Sequence, residues 1–215
     1  MKLFKFLIDL FYPYKCVFCE TVLKDTDICR DCEKDLPYTK GDSTIQKFPF
    51  IKKCLSPLYY KDNVRDAVLR YKFFGNESYS IRFGIIMADC IENNLDCGSI
   101  DVISWVPLSR KRLRKRGYNQ SRLLAKEISA RVDVPCGETL KKIRNNPAQS
   151  GIRDKDARAK NVVGAYEVAA DVKGKYVLLI DDVVTTGATL SECARMLVKA
   201  GAKEVYAATL ARRDG

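Results

Sequence analysis

The run Tyr176-Val177-Leu178-Leu179-Ile180, followed at once by Asp181-Asp182-Val183-Val184-Thr185-Thr186-Gly187-Ala188-Thr189, constrains the fold more than any other part of this chain. An uninterrupted apolar run of this kind is a strand covered on both faces, as central strands of parallel sheets are. The residues after it change period. Leu190, Cys193, Ala194, Leu197 and Val198 recur at i, i+3, i+4, i+7 and i+8, which is one buried stripe of a helix. Thr189 and Glu192 have capping-box spacing at its start, and Gly201 is placed to end it. Val205 to Leu210 is the next strand. Strand, loop, helix and strand form a right-handed crossover unit. A further strand is expected at Asp101 to Val106, with helices at Asn63 to Tyr71, Ile81 to Asn93 and Ser121 to Arg131. The fold class is therefore α/β, a parallel sheet flanked by helices.

This arrangement places Asp181 and Asp182 at the carboxyl end of a central strand, where open α/β sheets bind ligands. Thr185, Thr186, Gly187, Ala188 and Thr189 then lead into a helix N-terminus, whose free N–H groups and dipole attract phosphate. Gly187 allows close backbone approach, and the three threonine hydroxyls add donors. Two carboxylates beside an anion site conflict unless the ligand also carries hydroxyls or a metal. A ribose 5-phosphate meets both demands: the loop takes phosphate, the aspartates accept from sugar hydroxyls, and Mg²⁺ can bridge sugar and diphosphate oxygens. The plainer alternative is a strand with an acidic end and a Thr-rich turn.

Four apolar residues, two acids and a Thr-Thr-Gly turn into a helix resemble the signature of type I phosphoribosyltransferases. On that resemblance Asp181 and Asp182 are the catalytic candidates. The stretch Trp105-Val106-Pro107-Leu108-Ser109-Arg110 looks like the family's diphosphate loop, with Ser109, Arg110 and, further along, Arg116 as its polar members. The basic segment from Lys141 to Lys160 carries Gln149, Arg153 and Arg158 and occupies the position of the hood that closes over substrate in these enzymes. A solvated charged surface is the competing account for both segments.

A formal net charge of +11 without any histidine favours polyanionic partners and removes every mechanism that needs an imidazole. Of nine cysteines, four form two Cys-x-x-Cys pairs, Cys16/Cys19 and Cys29/Cys32. They are enough for a closed tetrahedral, structural Zn²⁺; iron–sulfur ligation and plain buried thiols remain the alternatives. Residues 1–45 are thus expected to form a four-cysteine zinc-binding module and 46–215 the phosphoribosyltransferase-like domain, with Gly41 to Pro49 as a linker. Met1 to Tyr14 suggests an amphipathic helix packed on the protein, too short to span a bilayer. No membrane insertion is expected, and the chain reads as cytoplasmic.

The order of these pieces is similar to the ComF family of competence proteins, which are amidophosphoribosyltransferase-like. The resemblance is carried by the early Cys-x-x-Cys pair, Leu69-Arg70-Tyr71-Lys72-Phe73, Val106-Pro107-Leu108-Ser109, Arg114-Lys115-Arg116-Gly117-Tyr118-Asn119-Gln120, Gln149 to Asn161 and the acid pair. The chain departs from many members after Gln149, where it reads Ser150-Gly151-Ile152-Arg153. The resemblance implies binding of 5-phosphoribosyl 1-diphosphate and a role in handling single-stranded DNA, alongside DNA-uptake proteins. Arg110 to Arg116 and the Tyr118 ring are the expected strand-binding groups. A true transferase acting on a small nitrogenous acceptor is the second reading.

Overall fold

A computed structural model describes residues 14–144 and 162–213. The expected N-terminal amphipathic helix and the hood residues Gln149, Arg153 and Arg158 lie outside the described residues.

The first described elements are a two-stranded ribbon, β1 (Tyr14–Lys15) and β2 (Val22–Leu23), followed by a short helix α1 (Arg30–Asp35). The main sheet uses β3 (Ile45–Phe48), β4 (Ile51–Leu55), β5 (Leu58–Tyr59), β6 (Val102–Trp105), β9 (Tyr176–Val184) and β10 (Glu204–Arg212). Their order is β3-β4-β10-β9-β6, with β5 also paired to β10. All pairs are parallel except β3 with β4. Helices α2 (Asp62–Phe73), α3 (Tyr79–Glu92), α4 (Arg110–Arg116), α5 (Gln120–Val132) and α6 (Ala188–Lys199) complete the layers. A separate antiparallel ribbon joins β7 (Leu140–Lys142) to β8 (Tyr166–Val168).

Alternation along β9 explains the three-layer build. Val177 and Leu179 enter the core under α6, whereas Leu178 and Ile180 enter the one under α2, α3 and α5. All four are essentially inaccessible to water, at 0–1% exposure. Side chains of a strand point alternately to its two faces, so only a strand covered on both sides can be apolar throughout. The strand runs four residues beyond the expected Ile180, because β10 continues beside it as far as Arg212 opposite Val184. Asp181 and Asp182 are therefore part of the strand rather than of the loop.

Two local expectations change. The Gly41 to Pro49 stretch is not a linker: Gly41–Thr44 is a 3₁₀ turn and Ile45–Phe48 the antiparallel edge strand. The buried hydroxyls of Thr39 and Thr44 meet at 3.0 Å, and Arg212 Nη1 donates to the Ser43 carbonyl at 2.6 Å, anchoring the turn to the last strand. The capping box at Thr189 also does not form. Helix α6 starts two residues earlier, with Gly187 as its N-cap in the left-handed region at φ 72°. This places Glu192 two residues too far along to cap. Its carboxylate accepts from the Gly164 N–H at 2.8 Å and pairs with Arg195. The apolar stripe otherwise holds, with Leu190, Cys193, Ala194 and Leu197 buried and only Val198 exposed.

Helices α3 and α5 approach at Gly84. A methyl group there would sit 2.5 Å from Glu127 Cβ, so the helices could not keep their spacing. Gly84→Ala should therefore destabilise the protein by roughly 1–3 kcal/mol, the usual cost of overpacking, in urea unfolding followed by circular dichroism.

Candidate functional site: a cleft at the sheet's carboxyl edge and a cysteine knuckle

At the carboxyl ends of β6 and β9 lies a cleft of about 430 Å³. The strand end contributes Asp181 to Val184, the following turn Thr185 to Gly187, and the first turn of α6 Ala188, Thr189 and Leu190. All five residues of the expected phosphate loop thus line one cavity together with both aspartates. The opposite wall consists of Val106, Pro107 and Leu108 after β6, then Arg112, Lys115 and Arg116 of α4. Lys142, Val162 and Tyr166 close one end, and Tyr60, Lys72, Phe73 and Arg213 the other.

Gly187 is required twice. Its positive φ is poorly tolerated by side-chain-bearing residues, and any Cβ would overlap the Phe48 ring packed against the turn. The residues that carry the first amides of α6, which the helix cannot satisfy internally, line this cavity. Thr186 Oγ1 accepts weakly from the Ala188 N–H at 3.5 Å.

The two carboxyl groups have different surroundings. Asp182 is buried and pairs with Lys72 Nζ at 2.7 Å. Asp181 accepts from Ser121 Oγ at 2.8 Å and from the Asp182 N–H at 2.9 Å. Loss of hydration deep in the cleft, and then the neighbouring Asp182 charge, push Asp181 up to about 7, against the opposing effects of Ser121 and Lys72. At the other end Lys142 donates to the Tyr166 hydroxyl at 3.1 Å, with its ammonium 4.8 Å from that ring. Burial first, and Arg112 second, bring Lys142 down to about 8. Anions in the cleft would therefore meet closely spaced cations held at partial desolvation, where charge interactions are stronger than in bulk water.

Near the chain's start, the Sγ atoms of Cys16, Cys19, Cys29 and Cys32 all lie within 4.8 Å of one another. Cys19 and Cys29 are 3.7 Å apart, close to the edge of roughly 3.8 Å that a tetrahedron with Zn–S bonds near 2.3 Å would have. Backbone N–H groups of Cys29 and Cys32 point at the sulfurs of Cys16 and Cys29, both at 3.4 Å.

Residues 119–215 match the family model of the phosphoribosyl transferase domain, and residues 7–43 that of the double zinc ribbon domain. Competence protein F of Haemophilus influenzae is 28% identical over 206 residues, which cover 92% of this chain and 90% of that protein. Competence protein ComFC of Bacillus subtilis is 27% identical over 206 residues, covering 92% and 77%. The DNA utilization protein YhgH of Escherichia coli K12 is 34% identical over 113 residues, 52% of this chain and 49% of that one. Along nearly its whole length the chain is similar to competence proteins of the ComF family.

Its fold is type I phosphoribosyltransferase-like, with the cysteine knuckle of a zinc ribbon at the front. The four thiols fit a structural zinc ion: four soft donors, tetrahedral spacing, and no position left for a reactant. In this chain the knuckle is packed into the larger core. Phe18 is 1% exposed, and its ring centroid lies 5.8 Å from that of Phe83. Arg70 Nη2 donates to the carbonyls of Val17 and Phe18 at 3.0 and 2.7 Å, and Arg82 pairs with Asp27.

Other expected residues fall differently. Ser109 is buried and caps α4, its Oγ accepting from the Arg112 N–H at 3.4 Å. Arg110, at the first helical position, is exposed and does not line the cleft. Positions three and four apart share a helix face, so Arg112, Lys115 and Arg116 turn inward together instead. The Tyr118 ring is also not available for stacking on bases. It is 7% exposed, packs on Tyr71 at 5.7 Å, and its hydroxyl donates to the Tyr71 carbonyl.

Sequence reasoning does not single out Lys72, Ser121, Lys142 and Tyr166 as site residues. Lys72 lies inside the family motif Leu69 to Phe73, which is the available signal for it. Lys142 falls at the start of the basic segment from Lys141 to Lys160, which is its signal, whereas Ser121 and Tyr166 come from elements distant in sequence with no local pattern to mark them. The knuckle's thiols generate a direct expectation. The purified protein should carry one zinc per chain by elemental analysis. Stripping it with a strong chelator, or Cys29→Ser, should lower the melting temperature by several degrees or more; a melt indifferent to complete metal removal would contradict a structural role.

Proposed function

We propose that the chain binds 5-phosphoribosyl 1-diphosphate with Mg²⁺ in the cleft between β6 and β9 and serves in the handling of single-stranded DNA during DNA uptake, a cytoplasmic task. The observation carrying the ligand is the meeting of Asp181 and Asp182 with the α6 N-terminus in one cavity. Phosphate oxygens belong at the amides and hydroxyls of Thr185 to Thr189, where the helix dipole favours negative charge. The sugar hydroxyls belong at Asp181 and Asp182, which can only accept once ionised. Lys72 already compensates Asp182, so the pair does not confront the ligand with two uncompensated negative charges. Arg112, Lys115, Arg116 and Lys142 supply the positive wall for the diphosphate. Mg²⁺, when bound, would neutralise diphosphate charge and bring sugar and phosphoryl oxygens together, with Asp181 and Asp182 as the protein groups suited to hold it or its waters. The DNA role is supported by the names of the relatives, competence protein F and DNA utilization protein YhgH, and by the net charge of +11.

A second reading is phosphoribosyl transfer to a small nitrogenous acceptor, and the position of Asp181 near 7 favours it. A carboxylate poised there can take a proton from an acceptor amine at neutral pH. Diphosphate release from the labelled sugar diphosphate in the presence of amines and bases, but not in their absence, would establish it.

The binding proposal is tested by calorimetry with phosphoribosyl diphosphate and Mg²⁺. Thr186→Val, which removes a hydroxyl at nearly constant volume, should weaken binding about tenfold, the scale of one hydrogen bond to a charged group. The pH dependence has a defined sign. Asp181 is raised to about 7 in the free protein, so below that pH it holds a proton that ligand binding must expel. Affinity should fall by up to about tenfold per pH unit below 7 and level off above it. Asp181→Asn should bind more weakly and lose that part of the pH dependence, which separates it from titration of the ligand's own phosphates. Absence of any binding heat or thermal shift at neutral pH would remove the proposal.

A further inference from the structure

Helix α2 ends with two phenylalanine rings in water. Phe73 is 55% exposed and Phe74 73%, the highest exposure of any large apolar side chain among the described residues. Leaving such rings in water forgoes the favourable transfer of their apolar surface, so two in succession invite a partner. Their surroundings say which kind. The Arg116 guanidinium lies over the Phe73 ring at 5.0 Å from its centroid and is held there by Gln120 Oε1 at 2.9 Å. Helix α4, to which Arg116 belongs, reads Arg-Lys-Arg-Leu-Arg-Lys-Arg, with no acid among its seven residues. Exposed ring faces next to a row of cations supply the two halves of single-strand recognition, stacking for bases and charge for the phosphate backbone. An apolar protein partner would leave the cations of α4 uncompensated, and a duplex keeps its base faces inside.

We infer that Phe74, together with the Arg116-backed Phe73 ring, is a base-stacking platform for single-stranded nucleic acid whose backbone runs over α4. The inference rests on the single-strand half of the proposed function and gives that strand a place. Because Phe73, Lys115 and Arg116 also line the cleft, the strand passes its mouth. Recognition is tolerant of sequence, since every base has a face to stack and nothing in the platform reads base edges.

The test is fluorescence anisotropy of a short labelled oligothymidylate with the full chain, titrated across a range of salt. Phe74 is outside the cleft lining and largely in solvent, so its variants should melt like the native protein. Phe74→Ala should weaken binding about tenfold, within the range of one lost stacking contact, while Phe74→Trp should bind at least as tightly as native. Phe74→Leu keeps apolar bulk without a ring and should share the loss. Lys111→Ala should instead reduce the slope of log affinity against log salt by about 0.7, the signature of one lost phosphate contact. Native-like affinity in Phe74→Ala with an unchanged melt overturns the platform and leaves the single-strand reading standing. Equal affinity of the native chain for duplex and single strand also overturns the platform. No salt-sensitive binding of oligothymidylate by the native chain overturns both.

Discussion

Burial of β9 on both faces is the constraint from which the rest of the molecule follows. Val177, Leu179 and their alternates Leu178 and Ile180 leave no side of the strand for water, so helices must cover the sheet above and below. Such a strand can carry polar groups only where it emerges from the layers. Asp181 and Asp182 stand at that point, and the chain must then turn into the helix that covers its own strand. The acid pair and the amide-rich turn are therefore neighbours by topology, with Gly187 supplying the left-handed residue and the clearance from Phe48 that the turn needs.

Four consecutive residues at the end of α2 tie the separate parts together. Arg70 reaches the carbonyls of the knuckle at Val17 and Phe18, and Tyr71 donates to the Gln120 carbonyl at the start of α5. Lys72 compensates Asp182, and Phe73 lies under Arg116. A metal knuckle that, among the described residues, has a two-stranded ribbon and one short helix of its own has little apolar surface on which to stand alone, as small domains generally do. Sharing Phe18 with the core around Phe83 supplies that surface. It also places the knuckle, the acid pair and the basic helix in contact with one rigid helical turn.

Much of this was legible in the residues. The crossover unit, the strand before Pro107 and the helices near 63, 81 and 121 follow from period and punctuation, which are local properties. The cysteine quartet was legible from spacing alone, because two tight Cys-x-x-Cys turns leave few ways to place four sulfurs. What failed were inferences from local texture where long-range pairing decided the outcome. Gly41 to Pro49 has the composition of a linker, yet β4 offers its edge a partner and the segment becomes a strand. Tyr118 sits among cations in sequence, yet Tyr71 and the core around Phe83 take its ring inward. The helical turn also redistributed the basic run, sending Arg112, Lys115 and Arg116 to the cleft and Arg110 to solvent.

By itself, then, the sequence determined the crossover unit, the threonine-rich turn with its two acids, the cysteine quartet and the excess of positive charge, since each depends on residues adjacent or a few positions apart. Tertiary structure alone decided which cations line the cleft, that Lys72 and Ser121 contact the two aspartates, and that the exposed aromatic surface is Phe73 and Phe74 rather than Tyr118. Those outcomes depend on contacts between residues dozens of positions apart, such as Ser121 with Asp181 and Lys72 with Asp182. Side-chain partners of that kind are set by the geometry of packed layers, which no local pattern encodes.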